Sequence, residues 1–359
     1  MRCMPLCAML VGITASVAAA QGTPVILEDA PSVAVAGYAV ASANYDRLGP
    51  QGPNNWFSGD KIALTLYEQA SGDVYFYGQL TTTLSPGVTS SVGIDIDHLY
   101  VIWTPHTLPS WSFEFGRLPA PNGVEADDEP LNFVPLHSFN FQYARPSALT
   151  GAIVRFTPVS NLQFVAAVAD AWDTEQGINN GKTGFLRLEW LPFDGMTLGI
   201  TGIYGPQTDS TDAFQRSLAT ADITFQRGPA VVAAELNLGG QANGAGTSDR
   251  WAGGTLTGFL QLGHRWAISA MYDHLDDSKG VVTGVPQVLS SIVLGPMWFE
   301  GTGQARMITN IEHTTFHIPQ VWVRTGVRVS YSSVPFFANA TGGVEMRDTQ
   351  GIIQVCFMF

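Results

Sequence analysis

The residues that could do chemistry here are charged side chains, and they are few. Only 13% of the 359 residues are charged, with Lys+Arg 17 and Asp+Glu 30, against roughly 25% in ordinary soluble domains. Their placement is uneven. Glu125, Asp127, Asp128 and Glu129 crowd one polar stretch, and Arg155 and Arg187 follow on neighbouring segments. Acids that face arginines across a narrow passage set up a transverse field, which selects ions and orients dipolar solutes. The bland alternative is a solvated stretch whose acids bind divalent cations among lipid headgroups. Arg306, Arg324 and Arg328 stand in the same alternating pattern against Glu114, Glu189, Asp222, Glu235 and Glu345. A ladder of both signs lines a watery interior, or pairs across strands and fills it.

Catalytic chemistry has little to build on. The histidines are His98, His106, His137, His264, His274, His313 and His317. Asp97-His98 and Asp273-His274 are sequence neighbours, so on a strand their side chains point to opposite faces and form no dyad without a bulge. No motif singles out a nucleophile with its base, so the expectation is no enzyme and no cofactor, with a hydrolase as the remote alternative. Asp273, Asp276 and Asp277 lack the glycine and terminal glutamate of an EF-hand loop and read as a solvated loop. Asn339-Ala340-Thr341 matches a glycosylation sequon but falls in a predicted strand. The acidic balance, pI ≈ 4.8, and the lack of a basic stripe exclude nucleic acid as a partner.

The elements that position these residues begin with an export signal. Met1-Arg2 is followed by an apolar run over 6–17 and by Ala18-Ala19-Ala20, which predicts cleavage near Ala20-Gln21. Cys3 and Cys7 leave with it. Cys356 then stands alone, which rules out an intramolecular disulfide and reads as a small wall residue. Beyond the signal no run reaches 18 apolar residues, so a membrane-spanning helix is excluded. Segments of about 9–13 residues instead alternate apolar and polar, the pattern of barrel strands. In 321–332, Val321, Val323, Val327, Val329 and Tyr331 oppose Arg324, Gly326, Arg328 and Ser330. Segments 161–170, 182–191, 219–226 and 230–238 behave alike.

Tryptophans and loop lengths favour a membrane barrel over a soluble sandwich. Trp103, Trp111, Trp190, Trp266 and Trp298 fall at one predicted end, and Trp56, Trp172, Trp251 and Trp322 at the other. Indole prefers the headgroup level. Short turns near Ala70–Asp73, Thr157–Asn161, Pro192–Gly195, Arg227–Pro229, Gly263–His264 and Glu300–Gly303 alternate with longer loops. Those loops cover 46–60, 118–148, 170–181, 205–215, 239–249 and 274–285. Fifteen strands precede about residue 316, and the remainder adds one or three. Clean alternation at 321–332 and 336–346 favours 18 strands over 16. The chain ends with Ile353, Val355, Phe357 and Phe359 on one face, which resembles the signal read by outer-membrane assembly machinery. The expectation is an all-β, transmembrane, antiparallel up-and-down barrel of 16–18 strands over 33–359. A short periplasmic segment, 21–32, precedes it, and its long external third loop is 118–148.

One stretch carries a family resemblance. Gly116-Arg117, Pro119, Pro121, Gly123, Glu125 and Asn132-Phe133 follow the pattern of the β-barrel porin family of the porin-2 type (OmpL-like). Arg145-Pro146, Thr150-Gly151, Asp170-Ala171-Trp172-Asp173, Gly181-Lys182-Thr183, Tyr272-Asp273 and Leu275-Asp276-Asp277 add looser matches, although Ala171 stands where glycine or asparagine is common. The resemblance implies a bacterial outer-membrane channel with no reaction of its own. A barrel of 16–18 strands typically leaves an aqueous channel. The expected function is therefore passive diffusion of small hydrophilic solutes or ions through a lipid-embedded pore. The candidate constriction and pore-lining residues are Glu125, Asp127, Asp128, Glu129, Arg155, Arg187, Glu189, Arg324 and Arg328. A homo-oligomer is compatible. The alternative is a non-conducting or ligand-specific barrel with a structural role.

Overall fold

A computed structural model describes residues 33–48, 54–83, 93–172, 181–206, 214–242, 247–300, 321–339 and 343–358. The export signal, the segment 21–32, Arg306, His313, His317 and Phe359 lie outside the described residues. The strands are β1 (Val33–Asp46), β2 (Asn54–Ser71), β3 (Val74–Thr83), β4 (Gly93–Trp103), β5 (Trp111–Pro119) and β6 (Ala148–Val159). There follow β7 (Leu162–Trp172), β8 (Thr183–Phe193), β9 (Met196–Pro206), β10 (Gln215–Arg227), β11 (Ala230–Ala242) and β12 (Ser248–Gln261). The remainder are β13 (Trp266–Asp277), β14 (Gln287–Glu300), β15 (Val321–Ser332), β16 (Phe337–Ala338), β17 (Val344–Glu345) and β18 (Arg347–Met358). β1–β15 and β18 close one antiparallel barrel of 16 strands, with β18 pairing β15 on one side and β1 on the other.

The period of two explains both faces. On β13, Trp266, Ile268 and Tyr272 point out while Ala267, Ser269, Met271, Asp273 and Leu275 are buried inward. On β8, Leu186, Leu188 and Trp190 point out against Arg187 and Glu189. Leu186 is 69% exposed, and exposed leucine, isoleucine, valine and phenylalanine continue around the ring. Soluble monomers rarely carry contiguous apolar patches above a few hundred Å². At about 25 cal/mol per Å², this exterior is stable only against an apolar medium. Ring closure also pairs the strand edges, which hydrocarbon requires.

Two expectations about the strands are corrected. The strand count is 16, not 18. Alternation over 336–346 does not build spanning strands. It forms the small hairpin of β16 and β17, which pair only Phe337 with Glu345 and Ala338 with Val344. The fifteenth strand expected before residue 316 and the turn beyond Glu300 lie in 301–320, outside the described residues.

The tryptophans form one outward belt rather than two. Trp103, Trp111, Trp190, Trp266 and Trp298 sit at the end with short turns and face outward, and Trp266 pairs with Trp298 across β13 and β14. Trp111 stacks on Phe156 and Trp103 packs on Phe113 at ring distances of 4.5 and 5.2 Å. The other four do not mark the opposite membrane face. Trp322 lies at the turn end, beside Phe299 and Cys356 in the lumen. Trp172 and Trp251 are at the loop end but turn inward, edge to face at 6.1 Å. Trp56 shares the lumen parity through its pairing with Asn44.

Candidate functional site

The lumen is not an empty cylinder. β5 ends at Pro119 and β6 begins at Ala148, and the connecting residues 120–147 run inside the barrel. This loop contains a 3₁₀ turn, Glu129–Leu131, and one π-helical turn, Asn140–Ala144. Its backbone groups must find partners away from water, and the wall supplies them. Arg324 donates to the carbonyls of Glu129 and Asn132 at 3.0 and 2.6 Å, and Arg328 to that of His137 at 3.3 Å. Asp273 accepts from the Phe139 amide and the Asn140 side chain, both at 2.8 Å. Trp251 donates to the Ala144 carbonyl at 3.2 Å.

The loop's own charges are used in the same way. Arg145 pairs with Glu235 of β11 at 2.9 Å and donates to the Glu125 carbonyl at 2.7 Å. Gly123 has φ +76°, and a Cβ there would run into Glu235 and Arg145, so this turn needs glycine. Gly326 on β15 leaves room for Pro135, whose ring would be 2.8 Å from an added Cβ. Apolar contacts finish the anchoring. Phe133 stacks on Phe259 at 4.9 Å, and Val134 packs with Met271 and Val293. Phe139 joins Leu118, Leu149, Leu218, Leu275 and Leu289 in a cluster that also holds Phe337.

The loop acids take four different positions. Glu125 is buried and accepts from the Ser138 amide at 3.0 Å, from the Ser138 hydroxyl, and from His137 at 3.3 Å. Burial pushes its carboxyl up, but His137 and Ser138 outweigh this and hold it below the usual carboxylate range. Asp127 reaches toward His98, 4.0 Å away. Asp128 accepts from Tyr38 of β1 at 2.8 Å and Gln79 of β3 at 3.0 Å. Glu129 accepts from Gln354 at 3.0 Å. Burial raises the Glu129 carboxyl beyond what nearby Arg324 offsets.

Arg155 and Arg187 do not face these acids. Arg155 is bound by Glu114 at 2.6 Å across β5 and β6. Arg187 is gripped by Asp222 at 2.6 and 2.9 Å and by Glu189 at 3.1 Å. Alternation fixes which face a side chain takes, not which neighbour it meets across the sheet. The pairing alternative therefore describes these wall charges. Glu345 is not in the wall at all, but in the β17 hairpin, bridged to Arg47 at 3.0 Å.

Two β-bulges bring in residues that sequence reasoning missed. Val40 pairs with Lys61 while Ala41 pairs with Gly59, which leaves Asp60 as an extra residue on β2. Gln79 pairs with His98 while Leu80 pairs with Ile96, which leaves Asp97 extra on β4. A bulge sets two residues opposite one and re-aims side chains. Lys61 bridges Asp97 at 2.6 Å, and Asp60 accepts from Ser42 at 2.8 Å. Adjacent charges within an alternating strand, Asp60-Lys61 and Asp97-His98, were the available signal. No group of three or more potential metal ligands forms among the described residues.

A closed 16-stranded barrel with a lipid-facing exterior and a loop folded into its lumen defines the porin class. The model of the family described as "Putative beta-barrel porin-2, OmpL-like" matches residues 66–359, and the chain belongs to that family. It is a bacterial outer-membrane porin. Solved structures share the fold at low identity. The anion-selective porin from Comamonas acidovorans superposes with a TM-score of 0.67 at 12% identity, over 91% of this chain and 99% of that one. OmpF of Salmonella typhi, complexed with daunomycin, gives 0.60 at 13%, over 93% and 99%. The in-vitro folded trimer form of OmpT from Vibrio cholerae gives 0.57 at 9%, over 92% and 100%. No curated protein matches the chain in sequence.

Proposed function

We propose that small hydrophilic solutes diffuse passively through this barrel and that the inward loop sets its narrowest cross-section. The observation that carries the reading is the loop's attachment to β1, β3, β11, β12, β13, β15 and β18 from within the lumen. A loop bonded to that many strands is a fixed narrowing. Glu125, Asp127, Asp128 and Glu129 supply its acids. Arg324 and Arg328 hold its carbonyls, while Arg155, Arg187 and Glu189 stiffen the opposite wall. The reading needs no catalytic group and no cofactor.

The turn end faces the periplasm and the loop end the exterior. Export ends with cleavage near Ala20-Gln21, the strand leading to Phe359 engages the assembly machinery, and the outward face meets lipid or further copies of the chain. Planar-bilayer recording of refolded protein tests the function. Discrete conductance steps, with sugar flux in liposome swelling, are expected. Neither signal would be seen from a non-conducting structural barrel, the second reading. That reading draws on the apolar cluster of Leu118, Leu149, Leu275, Leu289, Phe139 and Phe337, which fills part of the loop-end lumen.

A further inference from the structure

We infer that solutes pass along the β1–β4 side of the lumen and that this path prefers cations; the inference rests on the diffusion reading above. Water reaches the charged lumen side chains unequally. Asp127, Asp97 and Lys61 are 32%, 20% and 12% exposed, whereas Arg155 and Arg187 are each 3% exposed. The wet side chains mark where the loop leaves room. Asp60, Asp97, Asp127, Asp128 and Glu129 gather there, against Lys61 and, behind Glu129, the buried Arg324. The opposite wall offers no comparable excess, since Arg155 and Arg187 are already bound by Glu114, Asp222 and Glu189.

A second observation points to a cationic visitor. Gln79 is 1% exposed and its amide nitrogen donates to Asp128, yet its amide oxygen has no protein partner among the described residues. His98 is 4% exposed with Nε2 toward Asp127, and Nδ1 has no protein partner there either. The Gln79 oxygen and Asp60 Oδ2, which has no protein partner among the described residues either, are acceptors beside carboxylates at the edge of the wet path. Acceptors left open in a negative niche suit a hydrated metal ion or an ammonium group, not an anion. Low-dielectric walls of one sign concentrate counter-ions at such a place.

The test is the reversal potential of the full-length protein in a planar bilayer under a KCl gradient. The wild type is expected to pass K⁺ over Cl⁻ by on the order of tenfold. Asp60→Asn, Asp97→Asn and Asp127→Asn together should bring the ratio close to unity. Lys61→Gln should move it the other way. Asp127→Asn alone alters an acid more exposed than Asp97 and keeps the test open if the triple variant misfolds. Glu68→Gln and Asp276→Asn remove charge outside the lumen and should leave the ratio unchanged. A wild-type channel that prefers Cl⁻ or does not discriminate overturns the inference but leaves the porin reading standing. So does a preference untouched by Asp127→Asn and Lys61→Gln. A barrel that passes no current at all overturns both.

Discussion

On the β5–β10 wall, Arg155 and Arg187 meet Glu114, Asp222 and Glu189 at 2.6–3.1 Å and are almost dry. On the β1–β4 wall, Asp97 and Lys61 pair just as closely, at 2.6 Å, yet water reaches both, and further acids crowd round them. The same residue types thus do two jobs in one lumen. Where charges balance and the interior is packed, they hold the wall. Where bulges add an acid to each of two strands and the loop contributes more, they leave a field that a solute meets. A mixed-charge ladder read from sequence does not separate these cases, because hydration separates them.

The comparison breaks most visibly at Arg187. Arg187→Ala strands Asp222 and Glu189 as buried charges, and removing one partner of a buried pair costs about 3–5 kcal/mol. Chemical unfolding of the refolded barrel should record that loss, while the sign of ion preference stays as in the wild type. Arg324→Gln is the next largest. It removes charge-assisted bonds to the Glu129 and Asn132 carbonyls, each worth roughly 1.5–3 kcal/mol. Faster chymotrypsin cleavage at Phe139, Phe141 or Tyr143 should follow, with larger and noisier conductance.

Acid should loosen the same loop through Glu125. Its carboxyl is held below the ordinary glutamate value of about 4.5 in the folded protein. Its contribution is therefore present above about the unfolded value and is lost as pH falls through the lower folded value. Glu129 works in the opposite sense, since its raised carboxyl favours the folded state at low pH and loses that advantage as pH rises. Loop protection against protease should thus fall below about pH 4.5, and Glu125→Gln should show weaker protection already at neutral pH, with a flatter acid profile. Equal protection at neutral pH would count against the role given to Glu125. The smallest stability effect belongs to Asp127→Asn, a partly exposed site where about 0.5 kcal/mol is the ordinary range.

Much of the frame was legible because β-periodicity is local. The outward rows of β8, β13 and β15 follow directly from every second residue being apolar, and the third loop from its length between clear strands. Three features were not. The Asp60 and Asp97 bulges shift parity by one residue, and the sequence before and after each still alternates. The partners of Arg155 and Arg187 depend on register across strands. The 336–346 segment alternates as a strand should, but Phe336 and Phe337 pack against the apolar cluster and draw the segment into a hairpin. The Asp97-His98 pair shows the same lesson at one site. A bulge does occur there, and it turns His98 toward Asp127 instead of its neighbour.

The most direct test of the wet and dry sides is thiol accessibility during conduction. With Cys356→Ala as background, Asp127→Cys and Gln163→Cys place one thiol on the wet path and one in the dry wall, where Gln163 is 0% exposed. A charged methanethiosulfonate reagent should cut the current through Asp127→Cys within the recording and leave Gln163→Cys unaffected. Block at position 163 with none at 127 would contradict the path assigned here.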